Sequence, residues 1–338
     1  MNTTDLLQAT RLTTTAALCS ALLFSTGASA ERLQEIRDRG TLTVALYNDF
    51  GPYSCLGTNG NLIGVDVALA EALANRMELD LELAGFSAQS SMDQDLALLQ
   101  DEQAEDEWDE SILARAPDLM MHVPVDPVFQ ARNSGYEIFG AYFHESMAVL
   151  YDREEVGDLG VSINTPDPFE GLRMGVEMYT YSYTMLTNGF DGRLRAGVVN
   201  HTNVPEAVQA LLSGETSAAF APRGELQSAL AAFPEPSASL ALTEVRDLFR
   251  TDRVRSEWDV GLAVKAGNPE LTGALKDAMN ELLEDGSVER IFNEYGIAWV
   301  APGETYQLSR NGSGPGGVTR TGLERGQLCQ ATIPAGLY

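Results

Sequence analysis

The chain alternates between strand-like and helix-like segments over most of its length, and this alternation constrains its fold more than any other feature. Residues 41–47 (TLTVALY) are an apolar run preceded by Gly40, and residues 79–86 (LDLELAGF) alternate apolar and polar side chains as a strand does. Between them, residues 64–77 place apolar side chains at helical spacing. Strands separated by helices in this way predict an α/β fold with mostly parallel sheets and helices on their faces.

The same order of strand and helix begins again in the second half of the chain. A strand-like segment at 172–179 (LRMGVEMY) is followed by a helical pattern at 204–214 and an apolar strand at 217–222. The last unit joins DVGLAVKAGN to a long helical pattern, with Pro269 at its start and Gly286 after its end, which is typical helix punctuation. About 260 structured residues favour two lobes over one.

The first thirty residues have the form of an export signal. Arg11 precedes an apolar run of small residues, AALCSALLFSTGASA, which ends before Glu31 and is too short to stay in a membrane. We predict cleavage after Ala30, which leaves 308 residues (338 − 30) and places the mature protein in the periplasm. From Gly303 onward the chain is rich in Gly, Ser and Thr, which is typical of a tail.

Two cysteines, Cys55 and Cys329, remain after the signal is removed. In an oxidising compartment such a pair favours a disulfide bond, which here would tether the C-terminal tail to the N-terminal region. Two unpaired thiols are the alternative, because spacing alone does not fix the geometry of the pair.

Charge and motif content argue against several classes of function. The formal net charge of −27 repels nucleic acid and anionic membranes. It would either attract cations or only keep the protein soluble. The sequence has no G-x-S-x-G elbow, no apparent Cys–His pairing and no glycine-rich phosphate loop. Its three histidines, His122, His144 and His201, lack metal-binding spacing. These features favour a binding protein without catalysis, metal or cofactor.

Three segments, taken in order, resemble one protein family. They are GTLTVALYNDFGPYSCLGTNGNLIGVDVALAEAL, AVQALLSGETSAAFAPRGEL and DVGLAVKAGNPELTGALKDAMNELLEDGSVERIFNEYGI. They resemble the family 3 periplasmic solute-binding proteins of the amino-acid-binding type. The resemblance implies the type 2 periplasmic-binding fold, in which a hinge joins two α/β lobes and ligand lies in the cleft between them. It assigns residues 31–145 plus 259–301 to lobe 1, 146–258 to lobe 2 and 302–338 to the tail.

The resemblance also implies a function. Proteins of this family capture a small polar solute, often an amino acid, and deliver it to an ABC-type importer; ligand favours the closed arrangement because it contacts both lobes. A monomer is expected. Three shorter segments, SMDQDL, DLMMHVPVDP and APR, resemble a subgroup associated with quinoprotein alcohol or methanol dehydrogenases. An accessory protein of such a dehydrogenase is therefore the alternative, and a lyase similar to cyclohexadienyl dehydratase is the third possibility.

The stretch DLMMHVPVD (118–126) departs from the family pattern. It is an apolar strand that reaches His122, is ended by Pro124 because proline has no N–H to donate, and is followed by Asp126. Amino-acid binders of the family carry T-x-E-R near this place, where Thr and Arg hold the ligand α-carboxylate. Arg132 lies too late to be equated with that arginine. We predict that His122 and Asp126 line the cleft, and a standard α-amino acid is less favoured as ligand.

Four candidate ligand residues follow the first strand: Tyr47, Asp49, Phe50 and Tyr53. By family position they face the cleft, where aromatic side chains commonly enclose the ligand. Packing of the turn is the alternative.

The other candidates lie in the second half of the chain. The segment GVEMYTYSYT replaces the glycine of the family's anion-binding turn with tyrosines. Tyr179 and Tyr181 either line the cleft for an apolar, aromatic or cationic group, or alternate between core and surface. Arg223 is predicted to be an anion contact. Asp259 lies where the family often holds an α-amino group, although aspartate is also ordinary at a strand start.

Overall fold

The computed structural model describes residues 31–88, 91–100, 116–160, 162–233, 238–246 and 255–303. The predicted export signal and almost all of the predicted tail, including Cys329, lie outside these residues. Cys55 is buried and disulfide-bonded. Its pairing with Cys329 stays a prediction.

Thirteen strands lie in the described residues: β1 Thr41–Tyr47, β2 Asp49–Phe50, β3 Ser54–Leu56, β4 Leu62–Ile63, β5 Asp80–Phe86, β6 Leu119–Pro124, β7 Tyr136–Asp152, β8 Ser162–Ile163, β9 Met174–Glu177, β10 Val198–His201, β11 Ala218–Pro222, β12 Leu240–Val245 and β13 Glu257–Lys265. Ten α-helices accompany them: α1 Glu31–Arg39, α2 Val65–Arg76, α3 Met92–Asp95, α4 Pro127–Arg132, α5 Arg153–Val156, α6 Tyr181–Asn188, α7 Val204–Leu212, α8 Arg223–Ala231, α9 Pro269–Glu284 and α10 Ser287–Glu294. The predicted α/β architecture is confirmed.

Lobe 1, as the structure has it, is built on the strand order β5-β1-β6-β13-β7. Strands β1, β5 and β6 run parallel, while β13 runs antiparallel to both of its neighbours. Helix α9 shows why one face is covered: Leu271, Leu275, Met279 and Leu282 recur every three to four residues and are all buried. They join a core with α1, α2 and α10 on one face of the sheet, and a smaller cluster lies on the other.

Lobe 2 is built on the strand order β10-β9-β11-β7, with β12 on the other side of β7 and β8 beyond it. Strands β9, β10 and β11 run parallel, and β7 is antiparallel to β11 and β12. Helix α7 begins with a capping box: the Asn203 side chain accepts the Glu206 N–H, and the Glu206 carboxylate accepts the Thr202 N–H. Separate apolar clusters cover the two faces of this sheet.

Strand β7 joins the two lobes because it belongs to both sheets. Strand β7 has 17 residues. Its part up to Ser146 pairs with β13, and its part from Met147 onward pairs with β11. The return crossing occurs near Ser256, whose carbonyl accepts the Met147 N–H. Within the described part of the chain, no helix is long and apolar enough to span a membrane.

A buried arginine occupies the junction where β7 changes sheets. Arg223, the first residue of α8, is fully buried. Its guanidinium donates to the carbonyls of His144 (2.9 Å) and Ala298 (2.8 Å). Its Nε lies 3.9 Å from Glu145 and 3.8 Å from Glu244, which are also buried. Helix α8 of lobe 2 is thereby fixed to the lobe 1 part of β7 and to the segment after α10.

Replacing Arg223 with Met is expected to lower the free energy of unfolding by about 3–5 kcal/mol, because buried Glu145 loses its cation, buried Glu244 keeps only Arg246, and two carbonyls lose their donors. Urea denaturation measures the change. Arg193→Met is the matched control, since Arg193 is an exposed arginine that also pairs with two carboxylates, and its effect should be much smaller. Equal effects in the two variants would show that the junction does not depend on Arg223.

Candidate functional site

The loop after β1 rests on the N-terminus of α2. The backbone N–H groups of Val65 and Asp66 donate to the carbonyls of Pro52 (3.1 Å) and Tyr53 (2.8 Å). Gly64 permits this approach, because a Cβ there would collide with the Tyr53 carbonyl and the backbone has φ 136°. The loop that carries the predicted aromatic residues is therefore fixed to a helix end.

Tyr47, a predicted ligand contact, is anchored inside lobe 1. Its side chain is buried, its hydroxyl donates to the Asp95 carboxylate at 2.8 Å, and its ring packs against Phe86 at 4.5 Å between centroids. Burial and then the Asp95 charge raise the Tyr47 pKa far above its usual range. The structure gives Tyr47 a supporting position behind the loop.

His122 lies near the end of β6 and belongs to a hydrogen-bond network with two buried side chains, Asp66 and Tyr142. Its Nδ1 lies 2.8 Å from one Asp66 oxygen, and the Tyr142 hydroxyl donates to the other at 2.7 Å. The His122 N–H donates to the same hydroxyl at 3.2 Å. The His122 backbone has φ 59°, a left-handed conformation in which histidine is enriched among non-glycine residues.

This network sets which nitrogen of His122 carries the hydrogen. A carboxylate only accepts hydrogen bonds, so Nδ1 donates to Asp66 and Nε2 of the neutral imidazole is an acceptor. Burial and then the Asp66 charge raise the Tyr142 pKa well above its usual range, which keeps its hydroxyl protonated and able to donate. Among the residues that the structure describes, none hydrogen-bonds to His122 Nε2, and this atom is left for a ligand.

Aromatic rings surround the His122 imidazole. Phe50 meets it edge-on at 4.8 Å and Tyr53 lies at 4.2 Å, both between ring centroids. Phe50 is only partly buried. The structure thus brings together three of the residues predicted from the sequence, and they form the lobe 1 wall of the candidate site.

Tyr53 also makes the contact between the lobes. Its hydroxyl donates to Glu145, which in addition accepts the Gly224 N–H at 3.2 Å. A Cβ at Gly224 would collide with the Tyr53 hydroxyl, so α8 approaches lobe 1 this closely only with glycine there. Burial and then Glu145 raise the Tyr53 pKa well above its usual range. Tyr53 is 1% exposed, so its hydroxyl serves the seam between the lobes.

The opposing wall comes from the turn between β9 and α6. Thr180 caps α6 by accepting the Tyr183 N–H and donates its own hydroxyl hydrogen to the Glu177 carbonyl. Tyr179 precedes this cap with φ 63°, a conformation that favours glycine, and its side chain is 90% exposed. A large ring held there in an unfavourable backbone conformation is a candidate ligand contact.

Tyr181 and Asp126 are linked through Arg255, which the sequence did not single out. The Tyr181 hydroxyl donates to the Arg255 carbonyl and accepts its N–H, both at 2.8 Å. The Arg255 guanidinium pairs with Asp126, which also caps α4 by accepting the Val128 N–H at 2.9 Å. Burial raises the Tyr181 pKa to about 12. Together these residues connect α6 of lobe 2 to α4 of lobe 1.

Two predicted cleft residues lie elsewhere. Arg223 has no exposed surface and belongs to the junction cluster. Its guanidinium is therefore not accessible for the predicted role as an anion contact in the cleft. Among the described residues, Asp259 accepts from His144 at 2.7 Å and from the Gly303 N–H at 3.0 Å. Although burial alone would raise its pKa, the His144 and Gly303 hydrogen bonds hold the Asp259 pKa below its usual value.

Asp49, Glu177 and Glu225 are further carboxylates along the seam between the lobes, and of these only Asp49 was predicted. Burial raises the pKa of Asp49 although the residue is exposed; hydrogen bonds from backbone N–H groups, including that of Ala88, oppose the rise, and the Asp95 charge adds to it. Burial raises the pKa of Glu177 to about 7; Asp49 and Glu206 add to this rise and the Val204 N–H opposes it. Since the Asp49 charge acts on Glu177, the two carboxylates lie near each other although they belong to different lobes.

Glu225 is the third carboxylate and is 8% exposed. Burial, then the charges of Glu177 and Glu145, raise its pKa well above the usual range. Position at the end of a parallel strand could have drawn attention to Glu177, but the sequence carries no comparable signal for Glu225. In the described part of the chain, no group of three or more His, Cys, Asp or Glu residues is arranged to hold a metal ion.

Tyr142→Phe is expected to lower the free energy of unfolding by about 1–3 kcal/mol, since Asp66 and the His122 N–H each lose a buried partner. Tyr183→Phe is the control, because the Tyr183 hydroxyl has no hydrogen-bond partner among the described residues. Equilibrium denaturation of both variants checks the difference. A neutral effect of Tyr142→Phe would mean that the network does not stabilise the fold.

The ligand-free protein is expected to lose stability as pH rises from about 4.5 to about 7. Folded Glu177, with its pKa raised to about 7, holds a proton that the unfolded chain, at about 4.5, has already released. Glu177→Gln should flatten this loss in denaturation curves taken across that range. Glu206→Gln should instead alter the pH dependence below about 4.5, and with the opposite sign, because hydrogen bonds from Thr202 lower the Glu206 pKa from 4.5. Parallel profiles for wild type and Glu177→Gln would contradict the expectation.

Known proteins are similar to this chain in sequence and in fold. No family model matches the sequence. The L-cystine-binding protein TcyJ of Escherichia coli K12 is 23% identical over 281 residues, which cover 82% of this chain and 91% of that protein.

Solved structures give the same picture at the level of the fold. An ancestral cationic amino acid solute-binding protein superposes with a TM-score of 0.57 at 18% identity, over 78% of this chain and 99% of that one. The unliganded, open L-cystine receptor of Neisseria gonorrhoeae gives 0.53 at 16% identity, over 80% and 98%. The arginine-bound AbpA of Streptococcus pneumoniae gives 0.51 at 18% identity, over 78% and 97%. The chain therefore has the two-lobed α/β fold of the amino-acid-type solute-binding proteins.

Proposed function

We propose that the protein is a periplasmic solute-binding protein that captures a small, polar, amino-acid-like solute between its lobes for an ABC-type importer. The observation that carries the proposal is a seam whose two walls come from different lobes. Phe50 and His122 belong to lobe 1, while Glu177 and Tyr179 belong to lobe 2. A ligand that contacts both walls favours the closed arrangement by its binding energy.

Both the fold and the sequence relative support this proposal. The E. coli relative that matches most of the chain binds L-cystine according to its name, and the related structures include an arginine-bound protein. Export through the predicted signal, a monomeric state and an importer as partner belong to the same proposal. Binding without chemical conversion is its expected output.

The residues that suggested a quinoprotein dehydrogenase partner have partners within the fold. His122 is bonded to Asp66, Asp126 caps α4, and Arg223 fills the junction between the lobes. No structural observation favours the accessory role over solute binding. Co-purification of a dehydrogenase with the protein, without any small-molecule binding, would reverse this order.

Thermal-shift screening of amino acids and related solutes tests the proposal. A ligand present at 100 times its Kd is expected to stabilise the native state by about 2.7 kcal/mol. Small-angle X-ray scattering should show a smaller radius of gyration with that ligand if the lobes close on it. A bound solute that leaves the scattering unchanged would contradict capture between the lobes.

Tyr179→Gly separates ligand binding from folding. Glycine suits φ 63° and removes a ring that is 90% exposed, so stability should change by no more than about 1 kcal/mol. Affinity for the solute identified by the screen should fall at least tenfold in calorimetry. Tyr179→Phe, which keeps the ring, is the control and should retain most of the affinity. Unchanged binding by the glycine variant would remove Tyr179 from the site.

A further inference from the structure

Glu225 is a buried carboxylate without a partner. Its residue is 8% exposed, and among the described residues none donates a hydrogen bond to its carboxylate or forms an ion pair with it. Burying an unpaired carboxylate is costly, and proteins normally neutralise such a group or supply a cation. The neighbouring arginine, Arg223, points into the junction cluster, where Glu145 and Glu244 already share its charge.

Glu225 lies in the first turn of α8, at the seam between the lobes. Gly224, the preceding residue, touches the Tyr53 hydroxyl of lobe 1. The charge of Glu225 acts on Tyr53 on one side and is itself affected by Glu177 on the other. Glu225 therefore lies between the lobe contact and the wall that carries Glu177 and Tyr179.

The other polar groups of the two walls are also acceptors. The Asp49 charge acts on Glu177, and neither carboxylate forms an ion pair with any residue that the structure describes. Around them lie further acids, Asp95 beside Asp49 and Glu206 beside Glu177. The His122 tautomer presents Nε2 as an acceptor. Arg255, a cation tied to both lobes, is paired with Asp126.

We infer that the cleft recognises its ligand through a positive charge, an ammonium or guanidinium group held by Asp49, Glu177 and Glu225, and requires no carboxylate on that ligand. This inference rests on the proposed function and narrows its ligand class. A cation supplies further N–H donors beside the backbone N–H groups of Ala88 and Val204, which already reach Asp49 and Glu177, and it supplies the positive charge that the buried carboxylates need. The rings of Phe50 and Tyr179 suit the same group, because aromatic faces attract cations.

Isothermal titration calorimetry with four probes at pH 7.5 tests the ligand class. Agmatine carries a guanidinium and an ammonium but no carboxylate, L-arginine adds the carboxylate, L-citrulline replaces the guanidinium with a neutral group, and L-glutamate is an anion. Agmatine is expected to bind, with L-arginine no more than tenfold tighter. L-Citrulline and L-glutamate should bind at least tenfold more weakly than agmatine.

Substitution of the carboxylates tests the residues. Glu225→Gln and Glu177→Gln should each weaken agmatine binding at least tenfold while the melting temperature of the ligand-free protein stays level or rises, because repulsion is relieved. A structural role alone would instead lower the melting temperature. Asp277→Asn, which removes an exposed carboxylate on α9, is the control and should change neither quantity. Agmatine affinity should also fall as pH drops below about 7, where Glu177 takes up a proton, and this dependence should weaken in Glu177→Gln.

The outcomes separate this inference from the proposed function. Binding of L-citrulline or L-glutamate as tight as that of agmatine would overturn the cationic ligand class and leave solute capture intact. Binding of L-arginine more than tenfold tighter than that of agmatine would show that the cleft recognises the ligand carboxylate. This result would overturn the inference and leave the proposed function intact. Failure of all four probes, together with a negative solute screen, would overturn solute capture and the inference with it.

Discussion

The arrangement of the two lobes depends on the ion cluster around Arg223. A fully buried guanidinium is stable only where carboxylates and carbonyls surround it, and here they come from β7, β12 and the segment after α10. Because Arg223 begins α8, the same contacts fix Gly224 against the Tyr53 hydroxyl. The seam between the lobes is therefore as well defined as a core, although its residues are polar.

The wall of lobe 1 follows from a second buried charge. Asp66 lies in the first turn of α2, where the positive end of the helix dipole favours a carboxylate. It accepts hydrogen bonds from His122 and Tyr142, so the end of β6 cannot turn away from the helix. The loop after β1 is bonded to the same helix end. One carboxylate thus sets the positions of the imidazole and of the rings beside it.

Periodicity alone was enough to predict the α/β class, because alternating strands and helices of this length have few other ways to pack. The pattern also gave β1, β6 and α9 to within a few residues. The aromatic loop and the end of β6 were assigned to the cleft from the family resemblance, and this agrees with the way residues after parallel strands converge at one edge of a sheet. His122, Phe50 and Tyr53 do meet there.

Contacts between distant residues were beyond the reach of the sequence. Arg223 and Glu145 are 78 positions apart, and only the crossing of β7 between two sheets explains why a lone arginine is buried. Asp259 was assigned to the cleft by family position alone. In β13 it lies opposite His144 of β7, and it accepts a hydrogen bond from Gly303 instead of facing the cleft. Glu225 shows neither periodicity nor a motif, because what distinguishes it is that no residue in the described part of the chain pairs with it.

The acidity of the chain acquires a different meaning once burial is known. The net charge of −27 counts every ionisable group of the chain, and solvent and salt screen those that are exposed. Glu177 and Glu225 are desolvated, so the negative charge of either group is costly in the ligand-free fold and their pKa values are raised. Such a cost is characteristic of binding sites, where the ligand supplies what the protein leaves out. The burial of a few carboxylates, and not their number, therefore decides what the cleft can hold.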